Sequence, residues 1–413
     1  MKNIGKTILI FIIAFIAGIL LLFAAFLLPK QPMRDNLKYS MLAIAQENGQ
    51  SCEILYGLPS TFDSLFTDSI MMLSSVYESD HSLAEAVAAI YRPDVDEDWW
   101  QPTQSLLNYL ETGQVDYEAS YSRYWHGYLV LLKPLLLLLN FEEIKLLNLL
   151  LQGGLFLYLI VRMRDRGLKE LAAAFAAAYF LMFPIAMAFS LSMAICDYIA
   201  LLGMAILIRR PVIAANTLSS IWFFMGLGIA AAYFDFLTFP LITLGFPLVL
   251  ALALRKDQDQ NLRYVITSCA SWGASYVAFW ASKWIFGCLV LKENVIADAI
   301  QTIFFRTSSE GGNNRFTFYF QTLFKNLKMW NAIPYLVLLV ILIILAVRGI
   351  FFNHKKPDLK RLAPYLLVAV LPFLWYAVIL NHSYEHAAYT FRILTITVFA
   401  GLGSACRGGD TIA

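Results

Sequence analysis

Residues 7–29 read TILIFIIAFIAGILLLFAAFLLP, an unbroken apolar run preceded by Lys2 and Lys6. A helix needs about 20 apolar residues to cross the hydrocarbon core of a bilayer, and this run supplies them. A secretory leader has a shorter core of about 7–15 apolar residues and a small-residue cleavage site. This run is longer and closes on Leu27-Leu28-Pro29-Lys30. Residues 1–29 therefore read as a retained first transmembrane helix, its N-terminus held inside by the two lysines.

The rest of the chain agrees. Of 413 residues, 59% are hydrophobic and 15% charged, with a mean hydropathy of +0.64. A soluble domain carries roughly a quarter charged residues, so an ordinary cytosolic enzyme is excluded. Aromatics at 15% exclude a disordered chain. The net charge of +2 is no argument about nucleic acid in either direction, and no nucleic-acid partner is expected. Cys52, Cys196, Cys269, Cys288 and Cys406 include no close CxxC pair, so they read as small buried hydrophobes.

Residues 30–124 differ in kind. They hold 15 of the 29 acidic residues against five basic ones, a surplus of ten negative charges. With the short Lys133-Pro134-broken run 124–139, read as a helix lying at the surface, they form a long outer loop, 30–143. From 144 onward the apolar runs resume, with hairpins over 171–208 and 215–254, spans over 264–287, 332–349, 362–380 and 393–405, and a second outer loop at 288–331. The expected fold is an all-α polytopic membrane protein with about ten transmembrane helices and a long first outer loop containing surface helices; residues 144–413 are its multi-helix membrane domain. Seventeen of the 31 basic residues fall on the inner side of this layout, as positive-inside bias requires.

Once oriented, the unusual polar residues collect on one side. Ionisable groups at or below a membrane interface are expensive and mark sites. Thr61-Phe62-Asp63-Ser64-Leu65-Phe66-Thr67-Asp68 offers two carboxylates: one can take a proton from a hydroxyl, or Thr67 or Asp68 caps a helix starting near Ile70. Asp94, Asp96, Glu97 and Asp98 lack the EF-hand glycine, Trp99 standing at that position, and read as a solvated acidic turn. Arg123 and His126 precede the surface helix within an aromatic belt and suit an anionic head group. Asp197 sits inside a span, with a basic neighbour as its structural alternative. Asp235 sits at an aromatic turn, where turn chemistry is the alternative. Asn381-His382-Ser383-Tyr384-Glu385-His386 leads to Arg392. The HxxxH pair could share a helix face, but two ligands do not make a zinc site. Arg392 suits a phosphate.

This arrangement resembles the GT-C superfamily of membrane glycosyltransferases. Arg123 to Tyr128, Lys133-Pro134 and Ile144 to Asn148 resemble the surface helix and second span of such enzymes. Asp63 to Asp68 is similar to an Asp-Asn-(aromatic)-Thr-Asp-like motif of a bacterial branch tied to cell-surface polysaccharide assembly, with Ser64 for Asn and one extra residue of spacing. Asn381 to Arg392 is similar to that branch's late Asn-His-Ser-Tyr-x-His…Arg motif. The resemblance implies a catalytic Asp in the first outer loop, with Asp35 as a competing position. It also implies a polyprenyl-phosphate sugar donor, which fits a sequence without P-loop or Rossmann glycines.

From this resemblance follows an inverting transfer at the outer face of a bacterial plasma membrane. Asp63 or Asp68 activates a glycan or lipid acceptor. Arg392, with Arg123 or His382, offsets charge on the departing phosphate. His126, Asp235, His386 and Asp197 line the substrates. No cofactor or metal ligand is assigned, and a divalent metal stays open. The rivals are a lipid-linked glycan flippase or transporter, a polysaccharide polymerase or ligase, and a non-enzymatic membrane scaffold.

Overall fold

The computed structural model describes residues 2–46, 53, 54, 58, 61, 62, 64–94, 101–255, 260–309, 314–331, 336–344 and 359–406. In chain order the elements are α1 (Lys2–Phe26), α2 (Lys30–Lys38), α3 (Met41–Gln46), α4 (Leu65–Val76), α5 (Leu83–Ala89), β1 (Arg92–Asp94), α6 (Pro102–Thr112), β2 (Tyr117–Ala119) and α7 (Leu129–Leu136). Then come α8 (Phe141–Asp165), α9 (Lys169–Phe180), α10 (Pro184–Phe189), α11 (Leu191–Arg209), α12 (Val212–Ala215), α13 (Thr217–Phe234), α14 (Ile242–Leu254) and α15 (Asn261–Leu291). The last are α16 (Val295–Thr307), α17 (Arg315–Leu327), α18 (336–344), α19 (Leu359–Val378), α20 (Leu380–Glu385), α21 (Ala387–Thr390) and α22 (Thr395–Ala405). Strand among the described residues is confined to the antiparallel β1–β2 pair, Arg92 opposite Ala119, and one bridge between Glu53 and Phe62.

Six helices among the described residues are long and apolar enough to cross a membrane: Asn3–Phe26, Phe141–Asp165, Leu191–Arg209, Thr217–Phe234, Asn261–Leu291 and Ala387–Ala405. Other apolar runs are cut short for visible reasons. The run from 171 breaks after α9, where Phe183 takes a left-handed backbone (φ 55°) just before Pro184. Residues 235–241 separate α13 from α14, which has 13 residues and an internal Pro247. The surface helix expected over 124–139 is confined to α7, and residues 124–128 lie outside any helix.

The described residues between 30 and 140 form a cap on the helix bundle, and buried polar contacts fasten it there. The Gly127 N–H donates to the Tyr233 carbonyl at 2.8 Å, so close that a Cβ on Gly127 would lie 2.6 Å from that oxygen. Trp125 Nε1 donates to Phe279 O, and Trp284 Nε1 to Arg123 O. At about 1.5 Å per residue, α15 is roughly 46 Å long against a core of about 30 Å, so it runs on into the cap. There the fully buried Lys283 donates to the carbonyls of Val87 (3.0 Å) and Ala88 (2.7 Å) at the C-terminus of α5. Lys133, equally buried, does the same for α4 through Ser75 O. Helix C-termini leave unpaired carbonyls that cations satisfy. Below the cap, Gly228 lets α13 touch α15: a Cβ there would meet Trp272 O at 2.4 Å.

Because Lys283 is the donor for two buried carbonyls, Lys283→Met should strip both and destabilise the cap by about 1–3 kcal/mol. Limited proteolysis of the α5 region in detergent checks this, with faster cleavage expected than in the unaltered protein.

Candidate functional site

The carboxylate-bearing stretch and the late His/Arg stretch meet at Tyr389. α4 is buried along most of its length, and its first turn carries Asp68 at 1% exposure. Asp68 Oδ2 accepts the Leu191 N–H at 2.7 Å and Oδ1 the Ser192 N–H at 3.0 Å. The carboxylate therefore caps α11, a different helix from the one its sequence neighbourhood suggested, since α4 itself begins at Leu65. The N-cap residue of α11, Ser190, makes no cap bond of its own; its hydroxyl accepts the Ser64 N–H instead. Burial pushes the Asp68 carboxyl up to about 7, against the pull of the two backbone N–H groups.

The Tyr389 hydroxyl hydrogen-bonds Thr67 Oγ1 at 2.8 Å and also Ser64 Oγ. The Phe62 ring stands edge-on to Tyr389, centroids 5.9 Å apart. Asp63 lies outside the described residues, as do Asp96, Glu97 and Asp98. Asp94 is 2% exposed and accepts the Ser105 hydroxyl, so that end of the acidic turn is interior and not solvated. Asp35 sits on α2 and holds Gln31 at 2.9 Å.

Arg392 is fully buried just before α22. Its Nε donates to Met182 O at 3.0 Å and its Nη1 to Ala388 O, and the guanidinium lies over the Phe391 ring at 4.6 Å. Asp197 accepts the Tyr179 hydroxyl at 2.9 Å and lies within the field of Arg392. A phenol thus takes the direct contact that sequence reasoning offered to a basic residue.

The other polar residues cluster one step away, around Tyr124, which feels Arg123, Arg306 and Asp235 together. Arg123 pairs with Asp298 of α16 at 2.8 Å. Asp235 closes a turn, accepting the N–H groups of Leu237 and Thr238; burial raises its carboxyl to about 6. His126 donates from Nε2 to Tyr121 O (2.8 Å) and accepts Tyr128 OH on Nδ1 (3.0 Å). His382 donates from Nε2 to Leu237 O at 2.7 Å, which leaves its Nδ1 buried without a partner. His386 accepts Arg306 Nη1 at 2.8 Å. The His382 and His386 rings are 4.6 Å apart, and His386 and Tyr389 6.1 Å. Burial drives His126 and His386 down to about 3 and His382 well below its usual range, so all three are neutral imidazoles. The positive charge here belongs to arginine.

A cavity of about 280 Å³ opens beside this cluster between α15, α16 and the end of α19. Trp272, Tyr276, Trp280 and Trp375 wall it, and Arg123 and Arg306 stand at its edge. Arg123 Nε, Arg306 Nε, Trp280 Nε1 and Trp375 Nε1 are buried N–H groups without an acceptor. Arg306, Tyr389, Ser64 and the tryptophans had no assigned role in the sequence reading. The available signals were that Tyr389 lies inside the Asn381–Arg392 stretch and that Arg306 belongs to the ionisable residues collected on the outer side. Among the described residues no three His, Cys, Asp or Glu side chains converge as a metal-ligand set. Comparison with models of known families, with curated proteins and with solved structures yields no match to this chain.

A neutral buried imidazole carries a pH signature. Its folded pKa of about 3 lies below the ordinary 6.5, so its contribution is complete above pH 6.5 and is lost as pH falls through that window. At pH 4.5 the unaltered protein should lose about 2–3 kcal/mol relative to His386→Gln, compared with pH 7.5. Unfolding midpoints of the two proteins in detergent at both pH values test this.

Proposed function

We propose that this chain is a GT-C-like glycosyltransferase. It crosses a bacterial plasma membrane about ten times, both termini inside, and moves a sugar from a polyprenyl-phosphate donor to a cell-surface glycan or lipid acceptor at the outer face. The observation that carries the reading is the meeting at Tyr389. Its hydroxyl binds Thr67 and Ser64 of the acidic stretch, and its ring neighbours His386, which holds Arg306. The described part of the acidic stretch and a cation set thus meet at one residue, and sugar transfer from a lipid phosphate calls for a base and a cation.

In this reading the acceptor hydroxyl attacks the anomeric carbon as a carboxylate takes its proton. The C–O bond to the lipid phosphate breaks, and the phosphate leaves with the electron pair. Both oxygens of Asp68 are committed to α11, so we assign the base role to Asp63 and anchoring to Asp68. The departing phosphate is met by Arg306 and Arg123, whose unpaired Nε–H groups border the aromatic cavity. Its apolar walls suit the first isoprene units. Arg392, enclosed by carbonyls, contributes field and no direct contact. His382, His386, His126, Asp235 and Asp197 stand outside the cavity wall as neutral or hydrogen-bonded groups that support the site.

The broken helices α9–α10 and α20–α21 also fit a flippase, because transporters build sites at interrupted helices. Purified protein in lipid vesicles, given polyprenyl-phosphate sugars and candidate acceptors with and without a divalent cation, separates the two. Transfer is expected, with Asp63→Asn reducing it by about 100- to 10,000-fold while leaving the unfolding midpoint unchanged. Asp68→Asn should lower that midpoint. Donor movement across the vesicle without transfer, or full activity in Asp63→Asn, contradicts the proposal.

A further inference from the structure

α17 has the wrong polarity for a helix in water. Its interior face carries Phe318 together with Thr322 and Asn326, the last two fully buried, while Phe316, Phe320 and Phe324 form an i, i+4, i+8 stripe at 70%, 40% and 61% exposure. A helix in a soluble layer turns its apolar stripe inward; this one turns it out, with Thr317 and Gln321 along the stripe's edge. Its polar face has specific partners. Asn326 donates to Ser383 O at 2.9 Å and accepts the Thr390 hydroxyl at 2.8 Å. Lys325 turns back over the Tyr384 ring.

The depth of α17 follows from its neighbours. Arg315 donates to Ala377 O at the end of α19, and Tyr319, one turn on, reaches Phe373 O, one turn back. The helix therefore descends alongside α19, antiparallel to it. After α17 the chain reaches Trp330, whose Nε1 donates to Leu181 O just past the end of α9, about 18 Å along from Lys169. α18 then continues with Val337, Ile341 and Ile344 outward. On α19, Leu366, Val370, Leu374 and Val378 form an exposed apolar stripe, so the phenylalanines of α17 extend an exposed apolar surface that α19 already makes.

We propose that α17 is the outer half of a discontinuous transmembrane helix whose inner half is α18, and that lipid acyl chains cover its phenylalanine stripe. At 13 residues, or about 20 Å, α17 is too short to cross alone. Unpaired backbone at a break inside a membrane is tolerated where protein covers it, and the buried Trp330 and Asn326 sit on the protein side. The second outer loop is thereby reduced to α16 and its flanks. Asn326 becomes the bond through which a lipid-embedded helix steadies the α20–α21 stretch that carries His382, His386 and Tyr389. The inference depends on the helices crossing a membrane and is independent of sugar transfer.

The test attaches the fluorophore bimane at Phe320→Cys and Phe324→Cys, with Asp116→Cys as the water-exposed control. Cys52, Cys269, Cys288 and Cys406 are replaced by Ala, and the protein is reconstituted in phosphatidylcholine vesicles. The expected result is quenching by lipid carrying a nitroxide on its acyl chain. Quenching by aqueous iodide should be more than about tenfold weaker than at Asp116→Cys, since hydrocarbon excludes the ion. Iodide quenching equal to the control overturns the proposal. So does quenching by neither agent, which would mean that protein covers the stripe.

Discussion

The carboxylate of Asp68 holds the first turn of α11, and the geometry of the site depends on that bond pair. A helix start buried in protein leaves backbone N–H groups that water cannot reach. The N-cap side chain of α11 is turned elsewhere, so the two buried amides of Leu191 and Ser192 need an acceptor, and an anion at the positive end of the helix dipole is the favourable one. Supplying it from α4 fixes α4 against the bundle in position and in rotation. Ser64 and Thr67, on the same turn, are then aimed at Tyr389, and the acidic stretch of the first loop is tied to residues more than 300 positions later.

The same chemistry works at the other helix ends. Lys133 and Lys283 donate to last-turn carbonyls of α4 and α5, so buried side chains meeting backbone groups help to fasten the cap, beside the Arg123–Asp298 ion pair. Such contacts are costly to break one-sidedly, which gives a mainly apolar assembly a unique way to seat. They also account for Asp68, Lys133 and Lys283 being buried ionisable residues with structural partners.

Much of this was legible in the sequence at the level of class. Long apolar runs with basic flanks identify the membrane helices, because hydropathy and length alone decide that property. Asp235 as turn chemistry was readable from its place between aromatics after a span. The roles of Asp68 and Arg392 were not. A carboxylate followed by an apolar run looks like a local cap, and only tertiary packing shows that it serves α11. Arg392 reads as a phosphate ligand from its place before the last span, and only packing shows that its Nε and Nη1 donate to Met182 O and Ala388 O. Phe183 and Pro184 break α9 from α10 inside an alanine-rich run whose composition promised continuity. His126 and His382 read as partners of an anionic group, and burial leaves them and His386 neutral, a property of surroundings that no spacing reveals.

What remains decisive is whether the two distant stretches interact in the working protein. Thr67→Val and Tyr389→Phe each remove one side of the hydroxyl pair at 2.8 Å, and a double-mutant cycle on unfolding free energy measures their coupling directly. The account predicts about 0.5–1.5 kcal/mol of interaction. Strictly additive effects of the two substitutions would contradict it.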